Sequence, residues 1–126
     1  MNANKAQVVE IGDTNFESEV LRSTQPVMVA FLTPWSRPCR IIRAVLDNVA
    51  IACAGRARVL RVNVDDHPDL GAWYDIQSIP TLLCFVNGNA CIRIIGTVSK
   101  EAILSKLEPF FPVSESKTLP NTNGTS

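Results

Sequence analysis

The sequence predicts an α/β domain built on a mixed five-stranded sheet flanked by four helices. Three observations predict it. Strand-like and helix-like segments alternate from Val8 to Tyr74, Val27 to Leu32 is almost continuously apolar, and Asn87-Gly88 separates two strand-like segments near the end. Alternation argues for parallel strands joined by crossover helices, whereas Asn-Gly between apolar runs marks a tight hairpin and an antiparallel pair. The two together make the sheet mixed.

The elements follow in order. Val8 to Ile11 is a short apolar strand, after which Asp13 or Thr14 offers an N-cap to a helix through Arg22 with Phe16, Val20 and Leu21 on one side. Pro26 opens the strand Val27 to Leu32, whose unbroken apolarity suits a central strand covered on both faces. Ile41, Ile42, Val45, Leu46, Val49 and Ala50 recur at helical spacing until Gly55, which makes this the longest helix. Val59 to Val64 reads as a third strand and Asp66 to Tyr74 as a short helix with Pro68 in its first turn. Thr81 to Val86 and Ala90 to Ile95 form the hairpin. Ser99 then caps a last helix carrying Ile103, Leu104 and Leu107 and ending near Phe111-Pro112. The folded domain is expected over 8–112, with a flexible start at 1–7. Residues 113–126 are rich in Ser, Thr, Asn and Pro, too polar to offset their ordering entropy, and are expected to be a disordered tail.

Composition bounds the function. The chain has 126 residues, 46% of them apolar, which is one ordinary domain. Twelve basic residues balance twelve acidic ones, so no global field draws it to nucleic acid or an anionic membrane. Residues 1–7 lack the apolar core of a signal peptide, and no apolar run reaches the roughly 18 residues of a membrane span; a cytoplasmic monomer is expected. Cys39, Cys53, Cys84 and Cys91 are too scattered for a disulfide scaffold or a zinc site, and neither metal nor cofactor is expected. A two-residue Asn87-Gly88 turn places Cys84 directly opposite Cys91, about 5.5 Å away between Cα atoms, as free thiols in contact.

Five landmarks then stand in order: Trp35-Ser36-Arg37-Pro38-Cys39 after the buried strand, Val62-Asn63-Val64-Asp65, Tyr74 to Thr81 containing Ile79-Pro80, Phe85-Val86-Asn87-Gly88, and Gly96. With them the chain resembles the thioredoxin family over roughly residues 8 to 111. The resemblance implies the thioredoxin fold and a thiol-disulfide site in which Trp35 flanks the chemistry as an exposed aromatic. It also implies a cis peptide bond before Pro80, in a loop that offers backbone groups to an extended substrate. Without it, Trp35 reads as core packing and Pro80 as a trans proline opening a strand.

The departures concern chemistry. Where the family has Trp-Cys-Gly-Pro-Cys, this sequence has Trp35-Ser36-Arg37-Pro38-Cys39, so Ser36 stands in the place of the attacking thiol and only the resolving Cys39 remains. A thiolate must attack a disulfide and a second thiol must release it, and a serine hydroxyl does not ionise at a helix start. Ser36 reads as a plain N-cap. The buried acid that the family uses for proton transfer is Ala30 here, its basic neighbour is matched by Arg61, and the mid-helix proline by Ala44. His67, the only histidine, reads as an ordinary polar loop residue.

Two readings of function follow, in different classes. One is a binding or assembly module that keeps the peptide surface of Trp35, Arg37, Pro38, Ile79, Pro80 and Thr97-Val98 and captures a protein or peptide partner. The other is a thiol-disulfide oxidoreductase in redox homeostasis, acting through Cys39 with an external thiol such as glutathione, or represented here by a serine variant of a dithiol enzyme. Arg37, Arg40 and Arg43 are either a solvated helix face or a docking patch for an acidic peptide or for glutathione.

Overall fold

The computed structural model describes residues 7–112. Five strands, β1 (Val9–Ile11), β2 (Val27–Leu32), β3 (Arg58–Asn63), β4 (Thr81–Val86) and β5 (Asn89–Ile95), form one sheet in the order β1-β3-β2-β4-β5. β1 and β2 run parallel to β3, while β4 is antiparallel to both β2 and β5. Helices α1 (Arg37–Ala52), α2 (Pro68–Trp73) and α3 (Lys100–Leu107) cover it, together with a short helical segment at Glu17–Leu21. This is the mixed sheet of the thioredoxin fold.

All six residues of β2 are buried, because it is central and both faces are covered. Met28, Ala30 and Leu32 join a cluster with Ile42, Leu46 and Val49 of α1 and Ile103 and Leu107 of α3. Val27, Val29 and Phe31 face the other side with Phe16, Val20 and Phe85. Tyr74 stacks edge-on to Phe85 there, centroids 5.3 Å apart, and tilted to Phe16 at 5.5 Å. α1 runs unbroken through Ala44, the position where a proline would have kinked it.

The N-terminal helix differs from expectation. Neither Asp13 nor Thr14 caps it: the Asp13 carboxylate faces His67 Nδ1 at 3.1 Å, and Asn15 Oδ1 accepts the Gly12 N–H at 2.8 Å. With the Asp13 and Asn15 side chains so engaged, the chain turns first and then makes one wide turn, the Arg22 N–H donating to the Glu17 carbonyl at 3.0 Å. His67, just before α2, is the polar residue that meets Asp13, and a Cβ on Gly12 would lie 2.3 Å from its ring. The last helix also stops earlier, at Leu107, where Pro109 allows only a single tight turn over Glu108–Phe110. The expected flexible start, except Gln7, and the expected tail at 113–126 lie outside the described residues.

The hairpin corrects the cysteine pairing. Asn87 and Gly88 both have positive φ, 53° and 83°, as a two-residue mirror-image turn requires, and Val86 pairs with Asn89 and Phe85 with Ala90 as expected. A bulge then inserts Cys91, so Cys84 pairs with Ile92 and Leu82 with Ile94. The cause is burial. Unbulged pairing would put Arg93 opposite Leu82 on the face of the buried cluster, whereas the bulge turns Ile92 and Ile94 onto it. Arg93 is freed to donate to the backbone carbonyls of Tyr74 at 2.7 Å and Asp75 at 3.4 Å. Cys84 is buried, Cys91 is exposed, and the two are not the opposed pair expected from the turn alone.

Candidate functional site

The site is built around the start of α1. Ser36 is extended (φ −82°, ψ 128°) and caps the helix, its Oγ accepting the Cys39 N–H at 3.4 Å while its carbonyl accepts the Arg40 N–H at 3.1 Å. Pro38 lies in the first turn, where its missing N–H costs nothing. Cys39, one residue further, turns inward and is fully buried beside Ala30, Ile42 and Leu82. The Thr33 N–H donates to Cys39 Sγ at 3.4 Å. This contact was not legible in the sequence, because the donor is backbone and any residue type supplies it.

The chemistry available here is that of one thiol. Ser36 Oγ is already engaged in capping, and His67, the only imidazole in the chain, is held by Asp13. A base to activate the hydroxyl is absent among the described residues around it. Behind the thiol, Ala30 is fully buried and pairs in register with Arg61 of β3. Arg61 does not stand unpaired: its guanidinium donates to Glu10 Oε1 at 3.2 Å and to the Val8 carbonyl at 3.1 Å. It therefore serves the sheet edge, holding β1, and moves no proton, since a guanidinium does not deprotonate in proteins.

The surroundings of the site are assembled from three loops. Trp35 is 67% exposed, and its Nε1–H donates to Asp65 Oδ2 at 2.7 Å, which joins the loops after β2 and β3. Asp65 was visible in the sequence as part of a landmark, though nothing there marked it as the indole's partner. The Ile79–Pro80 peptide bond is cis, Ile79 packs against the cluster that contains Cys39, and the Pro80 carbonyl accepts the Gly96 N–H at 2.9 Å. That bond sets Thr97, exposed, and Val98, packed on the same cluster, beside the proline loop. Trp35, Arg37 and Pro38 are exposed at the helix start, while Pro80 is buried and Ile79 half-buried.

Three cations crowd the first two turns of α1, which carry no acid in the first turn. Arg40 Nη1 donates to the Trp35 carbonyl at 3.1 Å, which braces the aromatic's backbone. Arg43 leans over a cavity of about 30 Å³ that it shares with Arg61, Glu10 and Asn63. A helix N-terminus favours anions by about 0.3–1 kcal/mol each, so cations there are placed against the local field.

The other thiols lie away from the helix start. Cys53 ends α1 in the core, where burial raises its pKa against the opposing pull of Arg56. Burial pushes the Cys84 thiol up to about 12, with the neighbouring Cys91 and Cys53 adding to the rise. Both are inert small hydrophobes at neutral pH.

Comparison with known proteins agrees with this geometry. The family model described as Thioredoxin matches residues 7–109. The chain is 38% identical to a thioredoxin of Griffithsia pacifica over 101 residues, which is 80% of this chain and 93% of that one. It is 38% identical to thioredoxin 1 of Nostoc sp. over 99 residues, 79% and 92% of the two chains. With a chloroplastic M-type thioredoxin of Chlamydomonas reinhardtii it shares 37% identity over 106 residues, 84% of this chain and 76% of the relative.

Proposed function

From the premise that this chain belongs to the thioredoxin family of redox proteins, we propose that it works mainly as a protein- or peptide-binding module with little dithiol turnover. One observation carries the reading: the helix start holds a single thiol, Cys39, fully buried, while the neighbouring Trp35 is 67% exposed. Disulfide exchange needs a thiolate that can reach its target and a second thiol to release the product. Here the first place is a capping hydroxyl and the second thiol is out of reach. An exposed indole held by Asp65, and a proline loop that is tied to Gly96 and packs through Ile79 on the cluster containing Cys39, offer instead an apolar surface with backbone groups alongside. Four free cysteines suit a reducing compartment, and we place the protein in the cytoplasm as a monomer.

A second reading rests on Cys39 being the thiol kept at the helix start, its sulfur held in place by the Thr33 N–H. In it, the Cys39 thiolate attacks a substrate or glutathione disulfide, one sulfur leaves as a thiolate, and an external thiol then opens the mixed disulfide, regenerating Cys39 and forming a new disulfide.

The docking reading is tested by fluorescence anisotropy with labelled ten-residue extended peptides. Trp35→Ala is expected to weaken binding by about tenfold or more, as removal of a central aromatic anchor does. Equal affinity of Trp35→Ala and the parent chain would remove the docking surface from this face.

A further inference from the structure

Resting on that docking reading, we infer that the partner is an acidic polypeptide segment, lying extended from Trp35 along the Arg37-Arg40-Arg43 stripe of α1 with carboxylates at alternate positions. The three guanidinium groups follow one another at i, i+3 spacing, so each has a like charge as a helical neighbour. They sit at the helix end where the macrodipole already presents positive charge. The nearby acids are committed to other partners or unpaired with these arginines. Asp65 is bound by the Trp35 indole and Glu10 by Arg61; Asp47, one turn on from Arg43, forms no salt bridge with it. Among the described residues, Arg37 and Arg43 join no salt bridge, and Arg40 spends one N–H on the Trp35 carbonyl.

The like charges at i, i+3 and the helix end both oppose this arrangement, and such conflicts concentrate at functional sites. An anionic partner reverses the sign of each term: it relieves the repulsion, meets the helix end favourably and finds planar forks that take carboxylates in bidentate fashion. The dimensions set the pattern of charges. Six residues of helix place Arg37 and Arg43 about 9 Å apart along the axis. Side chains on one face of an extended strand recur every ~6.6 Å, so acids at i and i+2 approach that span within the reach of the arginines. A polypeptide is favoured over glutathione because contact with the exposed indole and with the whole stripe must be made at once.

The experiment uses the full chain and three labelled ten-residue peptides with one apolar centre, flanked by alternating Glu, alternating Gln or alternating Lys. We expect the Glu peptide to bind about fivefold to tenfold more tightly than the Gln peptide at about 20 mM salt, the advantage disappearing near 500 mM. Arg37→Gln/Arg43→Gln, which leaves the Arg40 contact to Trp35 in place, is expected to abolish that advantage, and Lys at both positions to restore much of it. Equal binding of Glu and Gln peptides would overturn the acidic partner while leaving docking intact. Binding of none would overturn docking itself. Displacement of the Glu peptide by glutathione at equal molar concentration would overturn the polypeptide in favour of the tripeptide.

Discussion

Raising the pH should unfold this protein through a residue that takes no part in its site. Cys84 is fully buried in β4, and its thiol is pushed up to about 12 from an ordinary 9.0. Between those values the native state keeps the proton that the unfolded chain releases. The unfolded state binds fewer protons there, so the unfolding free energy falls as pH rises. Its contribution is intact below pH 9 and is lost progressively as pH climbs toward the folded pKa. One proton corresponds to about 1.4 kcal/mol per pH unit, so Cys84 alone removes on the order of 1 kcal/mol by pH 10 and roughly 2–3 kcal/mol by pH 11. Against a typical total of about 5–15 kcal/mol, that is a large share. Urea unfolding of the parent and Cys84→Ala at pH 8, 10 and 11 measures it. The variant starts lower because it opens a small gap in the core, but the difference between the two should shrink by about those amounts as pH rises. Tyr74, raised in the same direction, cancels in the subtraction, and the comparison is made in a Cys53→Ala background because Cys53 adds to the rise of Cys84. Parallel pH profiles for the two proteins would refute the reasoning.

Two other outcomes follow from burial and capping. A polar thiol reagent under native conditions should label Cys91 quickly and Cys39, Cys53 and Cys84 only in denaturant, as mass spectrometry of digested samples can read; rapid native labelling of Cys39 would contradict its burial. Ser36→Ala should lower stability by about 1 kcal/mol and Ser36→Gly by less, since a cap bond is lost in the first and backbone freedom is tolerated at a cap in the second; chemical denaturation at pH 7 checks it.

Legibility in the sequence tracked how local each determinant was. β2 and β4 were readable because full burial demands apolar residues at every position, and the turn at Asn87-Gly88 because two positive φ values demand those residue types. The Ser36 cap was readable for the same reason. The cap of the N-terminal helix was misjudged because Asp13 had a partner, His67, 54 residues away, which no local rule weighs against capping. The Cys91 bulge lay three residues past a correctly read turn. Its signal was present in the alternation Ile92, Arg93, Ile94, which needs the isoleucines inward, but counting from the turn alone overrode it. At the site, the identities of Trp35, Ser36 and Cys39 came from the sequence. The Thr33 backbone donor and the anchoring of Arg61 to Glu10 and Val8 depend on how strands lie together.

The central claim, a thioredoxin-family surface without dithiol turnover, is tested most directly by catalysed reduction of insulin disulfides with excess dithiothreitol, comparing the chain with Cys39→Ala and Ser36→Cys. The account predicts that the chain and Cys39→Ala both remain at the uncatalysed rate, and that Ser36→Cys rises above them. Turnover by the unaltered chain that disappears in Cys39→Ala would contradict it, and would make Cys39 the working thiol of a monothiol enzyme.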